Sequence, residues 1–213
     1  MGATQRLDIF LVRHGITKWN QDKRYLGHSD ESVLPGVFEE MSELKQELSK
    51  YPFDTIFTSD LKRCRETSDY LVGNKQNECI VDNRLRELNF GEWEGKTYEE
   101  LKTNHVYRNW IDDWESYNPP TGETANQFKS RINEFLGEVY EKAQSKTCNH
   151  NQVLVITHGG VIKYILSSLK ESSSIWDFKI KHGNGVRISL EYQEGGWLCN
   201  SISEVPTQEK EKQ

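Results

Sequence analysis

Phe10-Leu11-Val12-Arg13-His14-Gly15 is the stretch that decides the fold of this chain. An apolar run of strand length stops at an arginine, a histidine and a glycine. A run with no polar alternation is what a strand covered on both faces of a sheet requires. The glycine turn leaves backbone N–H groups and two adjacent side chains at the strand's carboxyl end, the edge where ligands sit in open α/β sheets. A second copy lies far downstream, Val153-Leu154-Val155-Ile156-Thr157 followed by His158-Gly159-Gly160. A single histidine of this kind is more often a satisfied, partly buried side chain. Two of them, each ending a strand and each followed by glycine, predict one pocket between the strand ends.

Outward from these two strands the chain alternates between strand and helix signals, with no internal repeat. Leu7 to Val12 reads as the first strand. An amphipathic helix over Gly36 to Ser49 follows, on Val37, Met41, Leu44 and Leu48. Asp54 to Thr58 is the second strand, and Ser59 is placed to N-cap a helix running to Val72. Cys79 to Val81 is a short strand, Arg86 to Gly95 a loop, and Thr97 to Tyr117 two short aromatic-rich helices. Thr124 and Gln127 form a capping box for a long helix ending near Ser145. Val153 to Thr157 precedes a helix over Val161 to Leu169, and Gly185 to Tyr192 with Trp197 to Ile202 form a closing pair of strands. This order predicts an α/β fold, a three-layer α/β/α sandwich whose central sheet is mostly parallel with an antiparallel edge. Residues 1–203 are expected to form one domain, and 204–213, charged and carrying Pro206, a disordered tail.

At 213 residues the chain suits one domain with a sizeable core. No apolar run approaches the ~18 residues that span a bilayer, and the polar start of the sequence does not support a signal peptide, so no membrane partner is expected. The net charge of −6 argues against nucleic acid, whose phosphate backbone needs a basic face. Cys64, Cys79, Cys148 and Cys199 are scattered with no zinc-ligand spacing and read as ordinary thiols in a reducing cytoplasm. An acidic protein still binds phosphate where a few arginines converge locally.

Four blocks carry a resemblance. Leu11-Val12-Arg13-His14-Gly15-Ile16-Thr17-Lys18-Trp19-Asn20 resembles the signature of the histidine phosphatase superfamily, the group that includes cofactor-dependent phosphoglycerate mutases. Ser59-Asp60-Leu61-Lys62-Arg63-Cys64-Arg65-Glu66-Thr67 is similar to its second block. Leu85-Arg86-Glu87-Leu88-Asn89-Phe90-Gly91-Glu92-Trp93-Glu94-Gly95 is similar to the third, and Thr157-His158-Gly159-Gly160 to the last. The blocks stand in the family's order. The chain departs from the pattern at Ile16, where glutamate is usual, and over Asp30 to Gly36, which is shortened. Both departures bear on substrate recognition and neither removes a catalytic group.

The resemblance implies a phosphohistidine on His14. A neutral imidazole attacks phosphorus without first losing a proton, so the residue type suits the chemistry. Arg13 and Arg63 carry over as phosphate clamps, because guanidinium groups present planar donor pairs to phosphate oxygens. Asn20 and the backbone at Gly159 carry over as further contacts, and His158 as the second histidine steadying the phosphoryl oxygens. Glu87 is the implied general acid, protonating the leaving alkoxide and later deprotonating water. Arg24 and His28, in the loop after the signature, are candidate substrate contacts; Tyr107, Trp110 and Trp114 share a helical face and are a candidate lid. Glu123 matches a glutamate common in the family; Glu92, Glu94 and Glu99 read as surface residues. No metal or other cofactor is implied. The expected activity is hydrolysis of a small phosphorylated metabolite in the cytoplasm by a phosphomonoesterase resembling the broad-specificity and α-ribazole phosphatases. A phosphoglycerate mutase and a non-catalytic phosphate-binding relative are the alternatives.

Overall fold

The computed structural model describes residues 4–73, 79–145, 150–170 and 174–206. Strand β1 (Arg6–Arg13) runs through the middle of a six-stranded sheet. On one side it pairs in parallel with β4 (His150–Thr157), which pairs with β2 (Thr55–Thr58), which pairs with β3 (Cys79–Val81). On the other side β5 (Gly185–Gln193) and β6 (Gly196–Val205) are antiparallel. The sheet order is therefore β3-β2-β4-β1-β5-β6, a parallel body with the expected antiparallel edge.

The connections are helical: α1 (Lys18–Gln21), α2 (Val37–Glu40), α3 (Ser42–Leu48), α4 (Lys62–Val72), α5 (Tyr98–Leu101), α6 (His105–Asp112), α7 (Ala125–Ser145) and α8 (Gly159–Ser168). They divide the core in two. Leu7, Ile9 and Leu11 of β1 face one cluster, with Phe128, Ile132 and Phe135 of α7 and Ile162 and Ile165 of α8. Phe10 and Val12 face the other, with Met41, Leu44 and Leu48 before and along α3 and Cys64 and Leu71 of α4. Successive side chains of a strand alternate between faces, so a strand buried on both faces must be apolar throughout. Each such side chain contributes roughly 1.5–3 kcal/mol on burial. Asp8 is the exception in β1. Burial alone would raise its pKa, yet hydrogen bonds from Arg187, Ser189 and His150 outweigh that and hold the carboxyl below its usual range.

Three expectations change. The single helix over Gly36 to Ser49 is two, because Met41 leaves helical geometry at φ −96°, ψ 5° while its side chain stays in the core. Ser59 does not N-cap α4 as the sequence suggests. The cap is Leu61, which makes no side-chain bond, and the Ser59 hydroxyl serves the site described below. Glu204 and Val205, assigned to a tail, belong to β6, where they pair with Val186 and Gly185. An edge strand with one solvated face looks polar in sequence, but Val205 is buried against the sheet. Residues 207–213 of the expected tail, and Cys148, lie outside the described residues. Thr124 and Gln127 make the expected capping box at the start of α7.

Candidate active site

The register of the sheet builds the site. Arg13 lies opposite Thr157, and the His14 N–H donates to the Thr157 carbonyl at 3.0 Å. The residues after the two strands, His14 and His158, are thereby side by side, with ring centroids 5.1 Å apart. One strand further, the Ser59 N–H donates to the Ile156 carbonyl at 3.0 Å, and α4 starts from there with Arg63 in its first turn. Three parallel strand ends thus deliver one nucleophile candidate, one arginine and one second histidine.

His14 is 3% exposed. Its Nδ1 lies 2.7 Å from the Gly15 carbonyl, which can only accept, so Nδ1 carries the ring proton and Nε2 keeps its lone pair. Burial first, and then the positive fields of Arg63 and Arg13, push its pKa well below the usual histidine value. The ring is neutral. Arg13 donates from Nη1 to the Ile180 carbonyl at 2.6 Å, while its buried Nε has no partner among the described residues. Arg63 is fully buried, its two terminal nitrogens donating to the carbonyls of Gly27 (2.7 Å) and Ser29 (2.8 Å).

His158 is fully buried beside His14 and Arg63. Its Nδ1 accepts from Arg63 Nε at 3.3 Å and its Nε2 donates to Ser59 Oγ at 2.9 Å. With both nitrogens occupied and no exposed surface, it backs Arg63 and His14 and does not line the pocket.

Glu87 forms part of the pocket wall. One carboxyl oxygen accepts from the Gly160 N–H at 3.0 Å and the other from the Leu88 N–H at 3.0 Å. A Cβ at position 160 would lie 2.2 Å from the Glu87 carboxyl, so only glycine admits this approach. Gly160→Ala is expected to fold, since a side-chain tip can move aside, but to lose tenfold or more in kcat as the carboxyl is displaced by about an ångström. Thermal melting and steady-state rates measured together check this; a melting point lowered without a kcat change would contradict it.

The loop carrying Glu87 is held by Arg131, which sequence reasoning missed. Arg131 Nη1 donates to the Arg84 and Arg86 carbonyls (2.5 and 2.7 Å), Nη2 donates to the Glu87 carbonyl (2.9 Å), and Nε and Nη2 form a pair with Glu123. His28 donates from Nε2 to the Glu87 carbonyl at 2.9 Å and lines a separate groove with Glu123 and Arg131. It holds the Glu87 carbonyl from outside the main cavity, where the sequence suggested a contact to substrate. Glu94, read as a surface residue, accepts from the N–H groups of His28, Ser29 and Phe90 and ties the two loops together. An arginine and a glutamate whose partners are backbone atoms of distant loops leave no spacing signal in a sequence.

A cavity of about 340 Å³ opens between these elements, within the usual range of about 300–1,000 Å³ for small-molecule sites. Arg13, His14, Asn20, Arg24, Arg63, Glu87 and Gly159 all line it; His28 and His158 do not. Asn20 uses its side-chain oxygen on the Thr17 N–H and hydroxyl. Arg24 donates to the Gly95 carbonyl at 2.5 Å and lies 3.3 Å from Glu100. Of the candidate lid aromatics, Trp110 and Trp114 line the cavity, whereas Tyr107 is buried in the core with its hydroxyl 2.6 Å from that of Tyr25. His182 was not foreseen. Its ring lies 5.5 Å from that of His14, and burial, with Arg13 and Arg63 nearby, pushes its pKa down to about 3. Among the described residues no group of three or more His, Cys, Asp or Glu side chains is arranged to hold a metal ion, and no helix is long and apolar enough to cross a membrane.

A family model described as histidine phosphatase superfamily (branch 1) matches residues 9–205. The adenosylcobalamin/alpha-ribazole phosphatase of Escherichia coli K12 is 26% identical over 179 residues, covering 82% of this chain and 86% of that protein. Among solved structures, the alpha-ribazole phosphatase of Shigella flexneri superposes with a TM-score of 0.77 at 24% identity, covering 92% of this chain and 95% of the other. A mutant phosphoserine phosphatase from Entamoeba histolytica, in complex with phosphoserine, superposes with a TM-score of 0.75 at 23% identity, covering 92% and 96%. At those identities the two structures establish the shared fold.

Proposed function

Because the chain belongs to the histidine phosphatase superfamily, we propose that it is a phosphomonoesterase that works through a phosphohistidine on His14. The observation that carries this reading is the state of the His14 ring: neutral, its proton held on Nδ1 by the Gly15 carbonyl, and its Nε2 lone pair presented to a cavity flanked by Arg13 and Arg63. A nucleophile that titrated near neutral pH would lose reactivity as it protonated; this one stays available.

Phosphoryl transfer is mainly positioning and charge neutralisation. Arg13 and Arg63 take the equatorial oxygens, with the first N–H groups of α8 at Gly159 adding positive potential. His158 acts through Arg63, holding its Nε–H and hence the direction of its donors. The Nε2 of His14 forms a bond to phosphorus as the P–O bond to the alcohol breaks, and Glu87 gives its proton to the leaving oxygen. Water then attacks the phosphohistidine in line, Glu87 takes a proton from it, and inorganic phosphate leaves with His14 restored.

Quenching turnover of a good substrate and mapping phosphate by mass spectrometry at neutral to basic pH is expected to place it on His14. Label on His158 would reverse the assigned roles. Release of inorganic phosphate separates this reading from a mutase, which returns the phosphoryl group to a bound intermediate. Because two guanidinium groups supply the positive charge that a metal ion supplies in other phosphatases, full activity is expected in EDTA. Loss on chelation with recovery on adding a divalent ion would contradict it.

A further inference from the structure

The peptide unit between Glu87 and Leu88 is held at both ends. Its N–H donates to one oxygen of the Glu87 carboxyl at 3.0 Å, and its carbonyl accepts from Arg131 Nη2 and from His28 Nε2, each at 2.9 Å. The atoms of a peptide unit are coplanar, so the two ends turn together. A rotation that released the carbonyl from Arg131 and His28 would also withdraw the N–H from the carboxyl. Donors on the carbonyl oxygen polarise the peptide as well and strengthen its N–H. The second carboxyl oxygen is fixed separately, by the Gly160 N–H at the start of α8.

All five N–H groups of Arg131 are committed. Nη1 donates to the Arg84 and Arg86 carbonyls, Nη2 to the Glu87 carbonyl and Glu123 Oε2, and Nε to Glu123 Oε1. Glu123 in turn meets Asn89 twice, accepting from its N–H at 3.3 Å and donating its own N–H to the Asn89 carbonyl at 3.0 Å. Residues 84–89 are thus gripped on both sides of Glu87. The guanidinium lies over the Phe128 ring, 4.8 Å from its centre. The Arg131 and Glu123 side chains are only 17% and 12% exposed, so removing either would leave the other charge poorly solvated. Neither Arg131 nor His28 lines the active-site cavity. Their hold is on the backbone, and it reaches the reacting atoms through Glu87.

Resting on the phosphomonoesterase reading above, with Glu87 as its acid, we propose that Arg131, braced by Glu123, and His28 are positioning residues for proton transfer. They fix the plane of the 87–88 peptide, and that plane aims the Glu87 carboxyl at the leaving oxygen. Lysine is no substitute for Arg131. It keeps the charge, but its donors sit on one nitrogen and do not serve three carbonyls and a bidentate carboxylate together. The competing role is stability alone, in a loop that would place Glu87 equally well without them.

Single-turnover phosphorylation by an alkyl phosphate, which needs the acid, is compared with that by p-nitrophenyl phosphate, which needs it far less. Arg131→Lys is expected to slow the alkyl ester about 10- to 100-fold, the scale of an ångström's misplacement, and His28→Ala about 3- to 10-fold, since one donor stays on the carbonyl. The p-nitrophenyl ester should fall less than about threefold with either variant. Inhibition by inorganic phosphate should hold within about twofold, because Arg13 and Arg63 have other anchors. In a Glu87→Gln background both substitutions should cost the alkyl ester almost nothing further, since no proton is left to aim. Melting curves accompany each variant. A lowered melting point with an unchanged ester ratio would leave a structural role only and overturn the proposal. Equal losses on the two esters, weakened phosphate inhibition, or losses that add in full to those of Glu87→Gln would overturn it too. His28 lines a separate groove, and its truncation is expected to fold. The ester ratio in His28→Ala therefore decides the outcome if Arg131→Lys does not fold, an unchanged ratio overturning the proposal. Wild-type protein that turns over neither ester would remove the phosphomonoesterase reading and the proposal with it, whereas turnover of both with unchanged ratios in the variants would remove the proposal alone.

Discussion

His14→Ala is expected to lower kcat by at least about 10⁴-fold, and no phosphate should be trapped on the protein during turnover. The size of the effect follows from what is left. Arg13 and Arg63 are anchored by the carbonyls of Ile180, Gly27 and Ser29, not by His14, so both guanidinium groups are expected to keep their places when the ring is removed. Water in place of the ring has no nitrogen lone pair beside the phosphorus and no short route to the covalent intermediate. The substitution also opens a small void against His158 and His182, whose rings lie 5.1 and 5.5 Å away, and a melting curve must show that the variant folds. His14→Gln fills more of that void and is expected to be equally inactive. A folded His14→Gln protein retaining a tenth of wild-type kcat would overturn the phosphohistidine.

Glu87→Gln is expected to lose about 10²–10⁴-fold on an alkyl phosphate, the usual scale for general acid catalysis. The amide keeps the shape but has no proton to give to an alkoxide. A p-nitrophenyl ester leaves as a stabilised anion, so its phosphorylation step, read as the burst, should fall far less. Dephosphorylation needs a base to activate water, so steady-state turnover falls for both substrates, and the basic limb of the pH–rate profile is expected to disappear. In the structure the Glu87 carboxyl accepts from two backbone N–H groups, those of Gly160 and Leu88, whereas an amide offers one oxygen. Some of the loss is therefore geometric. Gly160→Ala, which displaces the carboxylate without removing it, measures that share. Equal burst losses on both esters, with the basic limb intact, would show that another group is the acid. Glu123 is unsuited to that role, since both its oxygens are taken by Arg131 and one also by the Asn89 N–H.

The sheet body and the two histidines at its strand ends were legible in the residues alone. Unbroken apolar runs ending in Arg13-His14-Gly15 and Thr157-His158-Gly159 specify two strands buried on both faces, and buried parallel strands lie side by side. Period and punctuation are local properties, so Thr124 with Gln127 marked the start of α7. Seven of the nine residues singled out as site residues line one cavity, and five of them, Arg13, His14, Asn20, Arg63 and Gly159, sit within two residues of a strand end or a helix start. Tertiary structure decided the rest, wherever a side chain's partner is a backbone atom of a distant loop. It set His158 against Arg63, turned Ser59 from a helix cap into a partner of His158, and placed His28 on the Glu87 carbonyl. It gave Arg131 and Glu94 the work of holding the loops, split the helix at Met41 and carried β6 on to Val205. A hydrogen bond to a carbonyl uses an atom that every residue has, so it leaves no mark on residue type or spacing. Only the folded chain shows which carbonyl is within reach.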